Sequence, residues 1–260
     1  YTSDPRQLRE KIGLSRFVVT CTEYNRRHLL NISDSHKTAI HRFYHGIDVA
    51  MFAGNHAKAR NPGQPYRILT IARLTAKKGL PTVYRALKIL WDRGVKLEHT
   101  LIGDGEDREK ILQLIENLGL GSVSRWLGTQ PHNIVRDHYR STDLFVLACE
   151  VASNGDRDGI PNVLVESMAM GVPVVATDIS AIPELVQDGK TGLLAAAGQP
   201  DKLAEAMQRM LDDTEMRNRV VAAARALVVQ EFDNRMLIKG LAQVFRNHAV
   251  GSRSQLNEHR

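Results

Sequence analysis

The stretch "DRDGIPNVLVESMAMGVPVVATD", residues 156–178, decides how the chain is read. Two acids, Asp158 and Glu166, stand eight residues apart with a Gly and a Pro between them, and an apolar run follows. "PNVLVESMAM" has helical spacing: Ile160, Val163, Leu164 and Met168 share one face, and the spacing predicts a helix over about 161–170. "VPVVAT" is apolar on both faces, as expected of a strand covered by helices on both sides of a parallel sheet. Pro161 suits a first helical position, and Gly159 lets the backbone approach a ligand closely. A helix beginning there aims its free amides into whatever crevice it faces, which makes an anion site. Asp158 precedes the helix, near its positive end, where a negative charge is favoured. Glu166 falls off the apolar stripe, where it can accept hydrogen bonds from hydroxyls or stand as an ordinary solvated glutamate. Two acids beside a phosphate site suggest a polyol such as ribose or a sugar.

The same alternation runs outward from this stretch. "RILTIA", "LEHTLIG", "VSRWLG", "DLFVLAC" and "TGLLAA" read as strands. Between them lie helices such as "GLPTVYRALKILWDRG" and "EDREKILQLIENLGL", the latter with Ile111, Leu114, Ile115 and Leu118 in one stripe. Strand–helix alternation implies parallel pairing with right-handed crossovers. The expected fold is α/β, a doubly wound parallel sheet of Rossmann-like type, with a helical C-terminal tail over residues 200–248. The first 50 residues differ: "RFVVTCTEYNRRHLLN" makes one strand–helix unit, and "AIHRFYHGIDVAMFAGN" reads as a connector. One strand and one helix cannot build a domain, so this part reads as the end of a preceding one. The polar opening "YTSDPRQLREKIG" shows no signal peptide and no initiator Met, as in a chain cut from something longer.

Composition narrows the function classes. The 260 residues are 43% hydrophobic and 25% charged, which is ordinary for a globular protein. The net charge of +6 is spread along the chain, aromatics are only 5%, and no nucleic-acid motif occurs, so no nucleic-acid partner is expected. Two cysteines, Cys21 and Cys149, suit a reducing cytoplasmic setting and read as small buried hydrophobes beside strands. No apolar run approaches the roughly 18 residues of a membrane span. The ten His are dispersed, and neither HExxH nor CxxC appears. Asp156-Arg157-Asp158 has the spacing of an acid pair but sits in a long loop, so no metal and no cofactor are expected. No Gly-x-Ser-x-Gly elbow and no P-loop is present.

In open parallel sheets ligands bind beyond the carboxyl ends of the strands. After the first strand comes "ARLTAKKG", with Arg73 and Lys78 across a polar loop; a guanidinium fork and a mobile ammonium suit a diphosphate. Basic residues in surface loops are common, so the pair alone does not decide. "GDGE" follows the second strand, and Gly103 and Gly105 there would free amides to face a ligand, or simply make a tight turn. His45 in the connector and Glu150 at a strand end read as structural.

Taken in order, "YHGIDVAMF", "IARLTAKKG", "LIGDGEDREKI", "WLGTQ", "STDLFVLA" and "DGIPNVLVESMAMGVPVVATDISAIPELVQDGKTGLL" resemble the retaining GT-B glycosyltransferases of family 4, over about residues 15–210. The "GDRDGIPNVLVE" form is most similar to bacterial exopolysaccharide and colanic-acid-type members. The resemblance implies a donor-binding half of a GT-B fold. In it residues 1–48 are the end of the acceptor-binding domain plus linker, 49–232 the nucleotide-sugar-binding domain, and 233–260 a returning helix and tail that lack their normal packing. It implies a UDP-, GDP- or ADP-sugar donor held through its diphosphate by Arg73 and Lys78. Glu166 takes the place of the second acid of an E-x7-E motif that binds ribose. Asp158 stands where the first Glu usually does, near the donor sugar and the reacting centre, and is one methylene shorter. Backbone from Gly159 through Ile160, Pro161, Asn162 and Val163 to Leu164 would meet the sugar or phosphates, and the loop from Gln130 to Asn133 the base. The acceptor would be a saccharide or a lipid-linked one, held through the other domain. Peripheral association of the full-length protein with the inner face of the membrane stays open. So do two other readings: a nucleotide-sugar-binding module without turnover, and a GT-B sugar-nucleotide epimerase.

Overall fold

A computed structural model describes residues 4–33, 38–52 and 63–254. The C-terminal tail beyond 254, the last residues of the expected connector and the first three residues lie outside that range. The chain opens with α1 (Pro5–Leu14), β1 (Phe17–Thr20), α2 (Glu23–Ile32) and β2 (Ala39–Arg42). Then follow β3 (Tyr66–Ile71), α3 (Leu80–Asp92), β4 (Leu97–Ile102), α4 (Arg108–Asn117), β5 (Ser124–Trp126), α5 (His132–Arg140) and β6 (Leu144–Leu147). The rest is α6 (Asn162–Ala169), β7 (Val174–Thr177), α7 (Ile182–Leu185), β8 (Leu193–Ala195), α8 (Pro200–Asp212), α9 (Thr214–Glu231) and α10 (Asn234–Ser254).

Strands β3 to β8 form one six-stranded, all-parallel sheet in the order β5-β4-β3-β6-β7-β8. The order reverses between β3 and β6, and this switch point is where such sheets leave an open crevice. The middle strands are sealed on both faces: every residue of β6 and β7 is buried. One polar cluster crosses the sheet beneath this core. His99 is buried, with Nδ1 at 3.0 Å from Ser124 Oγ, Nε2 at 3.1 Å from Thr70 Oγ1, and Tyr84 edge-on at 5.2 Å. Burial pushes its pKa down to about 3, so the imidazole is neutral.

The N-terminal segment is richer than a single strand–helix unit. The expected connector contains a strand, β2, which pairs in parallel with β1 from Phe17↔Ala39 to Thr20↔Arg42. Its four residues, "AIHR", bury only Ile40, so the strand shows neither an apolar run nor an alternation. The returning helix packs on the linker and β1 with one face, while Met236, Ile238 and Phe245 stay exposed. Near the start of α10, Asn234 and Leu237 crowd Gly46 and Gly240 sits against Phe43; farther along, Phe245 meets Phe17 edge-on and His248 lies tilted against it. The linker is pinned where the chain turns into α10: Ile47 N–H donates to Phe232 O at 2.9 Å, and Asn234 N–H to Ile47 O at 3.0 Å. The N-terminal unit is also tied to the large one through α2 and α7. Thr22 caps α2, and the Glu184 carboxylate accepts from the Glu23 and Tyr24 amides at 2.8 and 2.7 Å, an acid at a positive helix end. Among the described residues no helix is long and apolar enough to cross a membrane.

Candidate functional site

A cavity of about 580 Å³ opens at the switch point of the large sheet. Its floor is the end of β3 and β4, Ile71, Ala72, Ile102 and Gly103. One wall is the loop before α3 with Arg73, Lys77 and Lys78; the opposite wall is Asp158 and the start of α6 from Ile160 to Val163, with Glu166. Thr129, Gln130, His132 and Val135 close one end, and His45 from the linker stands at another edge. The fold thus brings Arg73, Lys78, Gly103, Asp158, Ile160, Pro161, Asn162, Val163 and Glu166 to one place.

Three expected residues are not there. Gly105 is pressed on Leu74: a Cβ on it would meet Leu74 O at 2.4 Å and Leu74 N at 2.7 Å. Its amide donates to Asp104 Oδ1, and the Gly103 amide to Gly128 O, so neither is free for a ligand. Gly103 is needed instead for its φ of +127° and for its approach to β3, where a Cβ would lie 1.9 Å from Ala72 O. Gly159 faces α2, not the cavity, and a Cβ there would touch Thr22 Cγ2 at 3.5 Å. Leu164 is wholly buried in the core and its amide donates to Pro161 O at 3.0 Å. Pro161 itself is the cap, with ψ of 127°, rather than the first helical residue. Its extended ψ ends the loop and leaves Asn162 and Val163 as the first helical residues.

The charges are arranged in a chain. Lys78 Nζ lies 2.7 Å from Asp158 Oδ2, and both side chains are mostly buried, 13% and 15% exposed. Lys77, a residue that the sequence does not single out, bridges Asp156 at 3.0 Å and Asp158 at 3.6 Å. Its hydrogen bond to Asp156 raises the Lys77 pKa and lowers that of Asp156. Asp158 also accepts from the Cys149 thiol at 3.3 Å, and burial pushes that thiol up, so Cys149 is inert, as a buried hydrophobe should be. Arg73 is exposed at the rim and has no acidic partner among the described residues. The loop carrying these cations is held by Gly79. With φ of +58° it caps the turn Ala76–Lys78, and it lies so close to β6 that a Cβ would sit 1.7 Å from Ala148 O.

Glu166 is not a solvated helix glutamate. It is half-buried, and the Tyr139 hydroxyl donates to its Oε2 at 3.1 Å. Burial raises its pKa, while the Tyr139 hydrogen bond and the nearby His132 pull it back down. Opposite the lysines, this leaves one carboxylate with room to accept from a ligand.

A model of the family described as "Glycosyl transferases group 1" matches residues 52–227. The chain belongs to this family. It is 36% identical over 186 residues to an amylovoran biosynthesis glycosyltransferase, AmsK, of Erwinia amylovora, an alignment covering 72% of this chain and 46% of that protein. It is 34% identical over 211 residues to a putative colanic acid biosynthesis glycosyltransferase, WcaL, of Escherichia coli, covering 81% of this chain and 51% of that one. The chain thus spans about half the length of these relatives. Among solved structures, Anabaena Alr3699/HepE in complex with UDP superposes with a TM-score of 0.80 at 20% identity, over 95% of this chain and 69% of that one. At that identity the likeness supports the α/β fold alone.

Proposed function

We propose that the protein carries the donor site of a retaining glycosyltransferase, taking a sugar from a UDP-, GDP- or ADP-sugar to a hydroxyl acceptor in bacterial polysaccharide or glycolipid synthesis. The observation that carries this reading is one cavity with three cations and a helix start on its walls and a half-buried acid, Glu166, beside them. The charge pattern suits a nucleoside diphosphate: Arg73 and Lys78 hold the phosphates, Glu166 accepts from the ribose hydroxyls, and the loop with Gln130 and His132 borders the base. The names of the relatives, which concern amylovoran and colanic acid, support polysaccharide synthesis.

In this reading residues 49–232 are the donor-binding domain. Residues 1–48 and 233–260 belong to the side that faces an acceptor-binding domain, which fits the separate β1–β2 sheet and its packing against α10. An acceptor hydroxyl attacks the anomeric carbon from the face that the diphosphate leaves. The bond from that carbon to the phosphate oxygen breaks, and a phosphate oxygen of the leaving group takes the acceptor's proton. Arg73, Lys78 and the first amides of α6 stabilise the charge that develops on the diphosphate. A phosphate near Lys78 competes with Asp158 for the ammonium, and the freed Asp158 turns to the hydroxyls of the donor sugar. No cofactor or metal enters this scheme. The protein is placed in the cytoplasm, with the acceptor supplied at the inner membrane face when it is lipid-linked.

Thermal shift with UDP-, GDP- and ADP-sugars tests the donor class. A ligand at a hundred times its Kd adds about 2.7 kcal/mol, or roughly 5–10 °C for a chain of this size. Product analysis by NMR then reads the anomeric configuration with the full-length protein, since this chain alone is expected to be inactive without the acceptor-binding domain. A shift without any product favours a binding module; loss of UDP from the donor without an acceptor favours an epimerase. No shift with any of the three sugar nucleotides removes the donor reading.

A further inference from the structure

Tyr139 lies behind the cavity rather than in it. It is wholly buried, takes no part in the lining, and lies tilted against Phe145 of the central strand β6 with ring centroids 6.0 Å apart. Its single hydroxyl proton has two acceptors in reach, Glu166 Oε2 at 3.1 Å and Val163 O at 3.2 Å, both on the first turns of α6. An O–H can fully satisfy only one of them at a time, and a charged carboxylate outcompetes a neutral carbonyl. The hydroxyl therefore donates mainly to the carboxylate when Glu166 is charged, and turns to the backbone carbonyl when it is neutral.

From this geometry we infer that Tyr139 is a positioning residue of the donor site: its buried hydroxyl fixes one oxygen of Glu166 and leaves the other free to accept from ligand hydroxyls. The inference rests on the assignment of Glu166 to ribose and deepens it, because it makes hydroxyl recognition depend on a residue that touches no ligand. Two consequences separate this role from simple core packing. Removing the hydroxyl should cost affinity only for ligands that carry ribose hydroxyls. It should also make that affinity fail at a higher pH on acidification, since the bond from Tyr139 opposes the upward push of burial on Glu166. The titratable groups that bear on Glu166 among the described residues are Tyr139 and His132, both from α5; burial keeps the Tyr139 phenol protonated throughout the working range.

The test is calorimetry with UDP, GDP and ADP, each against its 2′,3′-dideoxy counterpart, on the protein, on Glu166→Gln and on Tyr139→Phe. For the diphosphate that binds most tightly, Tyr139→Phe should lower affinity about tenfold, the scale of one hydrogen bond to a charged group, and leave the dideoxy form within about twofold. Its affinity should also fall away at a higher pH than that of the parent. If Glu166→Gln erases the preference for the hydroxylated ribose but Tyr139→Phe keeps it at every pH, the positioning role is overturned and the ribose reading stands. Equal losses for hydroxylated and dideoxy ligands in Tyr139→Phe also overturn it, since that is the mark of a packing defect. No effect of Glu166→Gln, or no binding of any diphosphate, overturns both. Should Tyr139→Phe not fold, 3-fluorotyrosine at position 139 asks the same question with opposite sign. A more acidic phenol donates more strongly and must move the acid limit of binding downward; an unmoved limit refutes the role.

Discussion

Replacing Asp158 by asparagine should tighten binding of the bare nucleoside diphosphate, the opposite of what deleting a site residue ordinarily does. Asp158 holds Lys78 at 2.7 Å and Lys77 at 3.6 Å. It occupies the cation that a phosphate needs. Two unit charges about 4 Å apart near a protein surface interact by about 4 kcal/mol at an effective dielectric of about 20. Desolvation offsets much of this for a largely buried pair, and Lys77 stays tied to Asp156. A net gain of roughly 1–2 kcal/mol is therefore expected when Lys78 no longer has to leave a partner, which corresponds to roughly 5- to 30-fold in Kd. The assay is calorimetric titration of UDP, GDP and ADP into protein and variant at low and moderate salt, where the gain should shrink as salt screens it. The matching sugar nucleotide should gain less than the diphosphate, because the substitution also removes the charged acceptor for the sugar hydroxyls. Equal or weaker diphosphate binding in the variant would mean that Asp158 does not compete for Lys78, and the charge-exchange step would be wrong.

Other consequences follow from the same structure. Arg73→Ala should raise the barrier to transfer by about 2–4 kcal/mol, the usual loss for a charge-stabilising donor, read as kcat/KM of the full-length enzyme; an unchanged rate removes Arg73 from the role. Gly79→Ala puts a Cβ at 1.7 Å from Ala148 O in a left-handed turn and should cost about 3 kcal/mol or more. That lowers Tm by some 6–12 °C, roughly, and weakens diphosphate binding through the displaced lysine loop; a wild-type Tm would mean the loop yields freely. His99 sets a pH slope. Its folded pKa is lowered to about 3, so the unfolded chain takes the proton first, and stability present above about pH 6.5 is lost as pH falls towards 3. The loss is about 2 kcal/mol between roughly pH 6.5 and 5, and His138, whose pKa burial also lowers, adds with the same sign. Denaturant unfolding at about pH 7.5 and pH 5 should show a shallower slope in His99→Gln than in the parent, and parallel slopes would refute the assignment.

The sheet was legible because its signals are local and repeated. "VPVVAT" and "DLFVLAC" are apolar on both faces, and the helices between them carry stripes at helical spacing, which force parallel pairing whatever the details. The position of the cavity followed, since loops after such strands meet at the switch point, and Arg73, Lys78, Asp158 and Glu166 came together there. What stayed hidden is contact across long sequence separations. Nothing in "HNIVRDHYRST" says that Tyr139 reaches Glu166, 27 residues on, because that bond depends on how α5 and α6 pack. Gly105 read as ligand-facing because glycine permits any close approach; here its close approach is to Leu74, while Gly103 lines the cavity floor. Strand β2 and helix α1 escaped for a different reason. β2 buries only Ile40, and α1 is polar nearly all round with one buried side chain, Ile12, so neither shows a clear period.

Titration of UDP, GDP and ADP into the protein and into Arg73→Ala tests the central claim most directly, because Arg73 is exposed and its loss should leave the fold intact. The account predicts that one of the three binds with one-to-one stoichiometry, that binding weakens with salt, and that Arg73→Ala reduces affinity at least tenfold. Binding of none of them, or equal binding to the parent and Arg73→Ala, would contradict it.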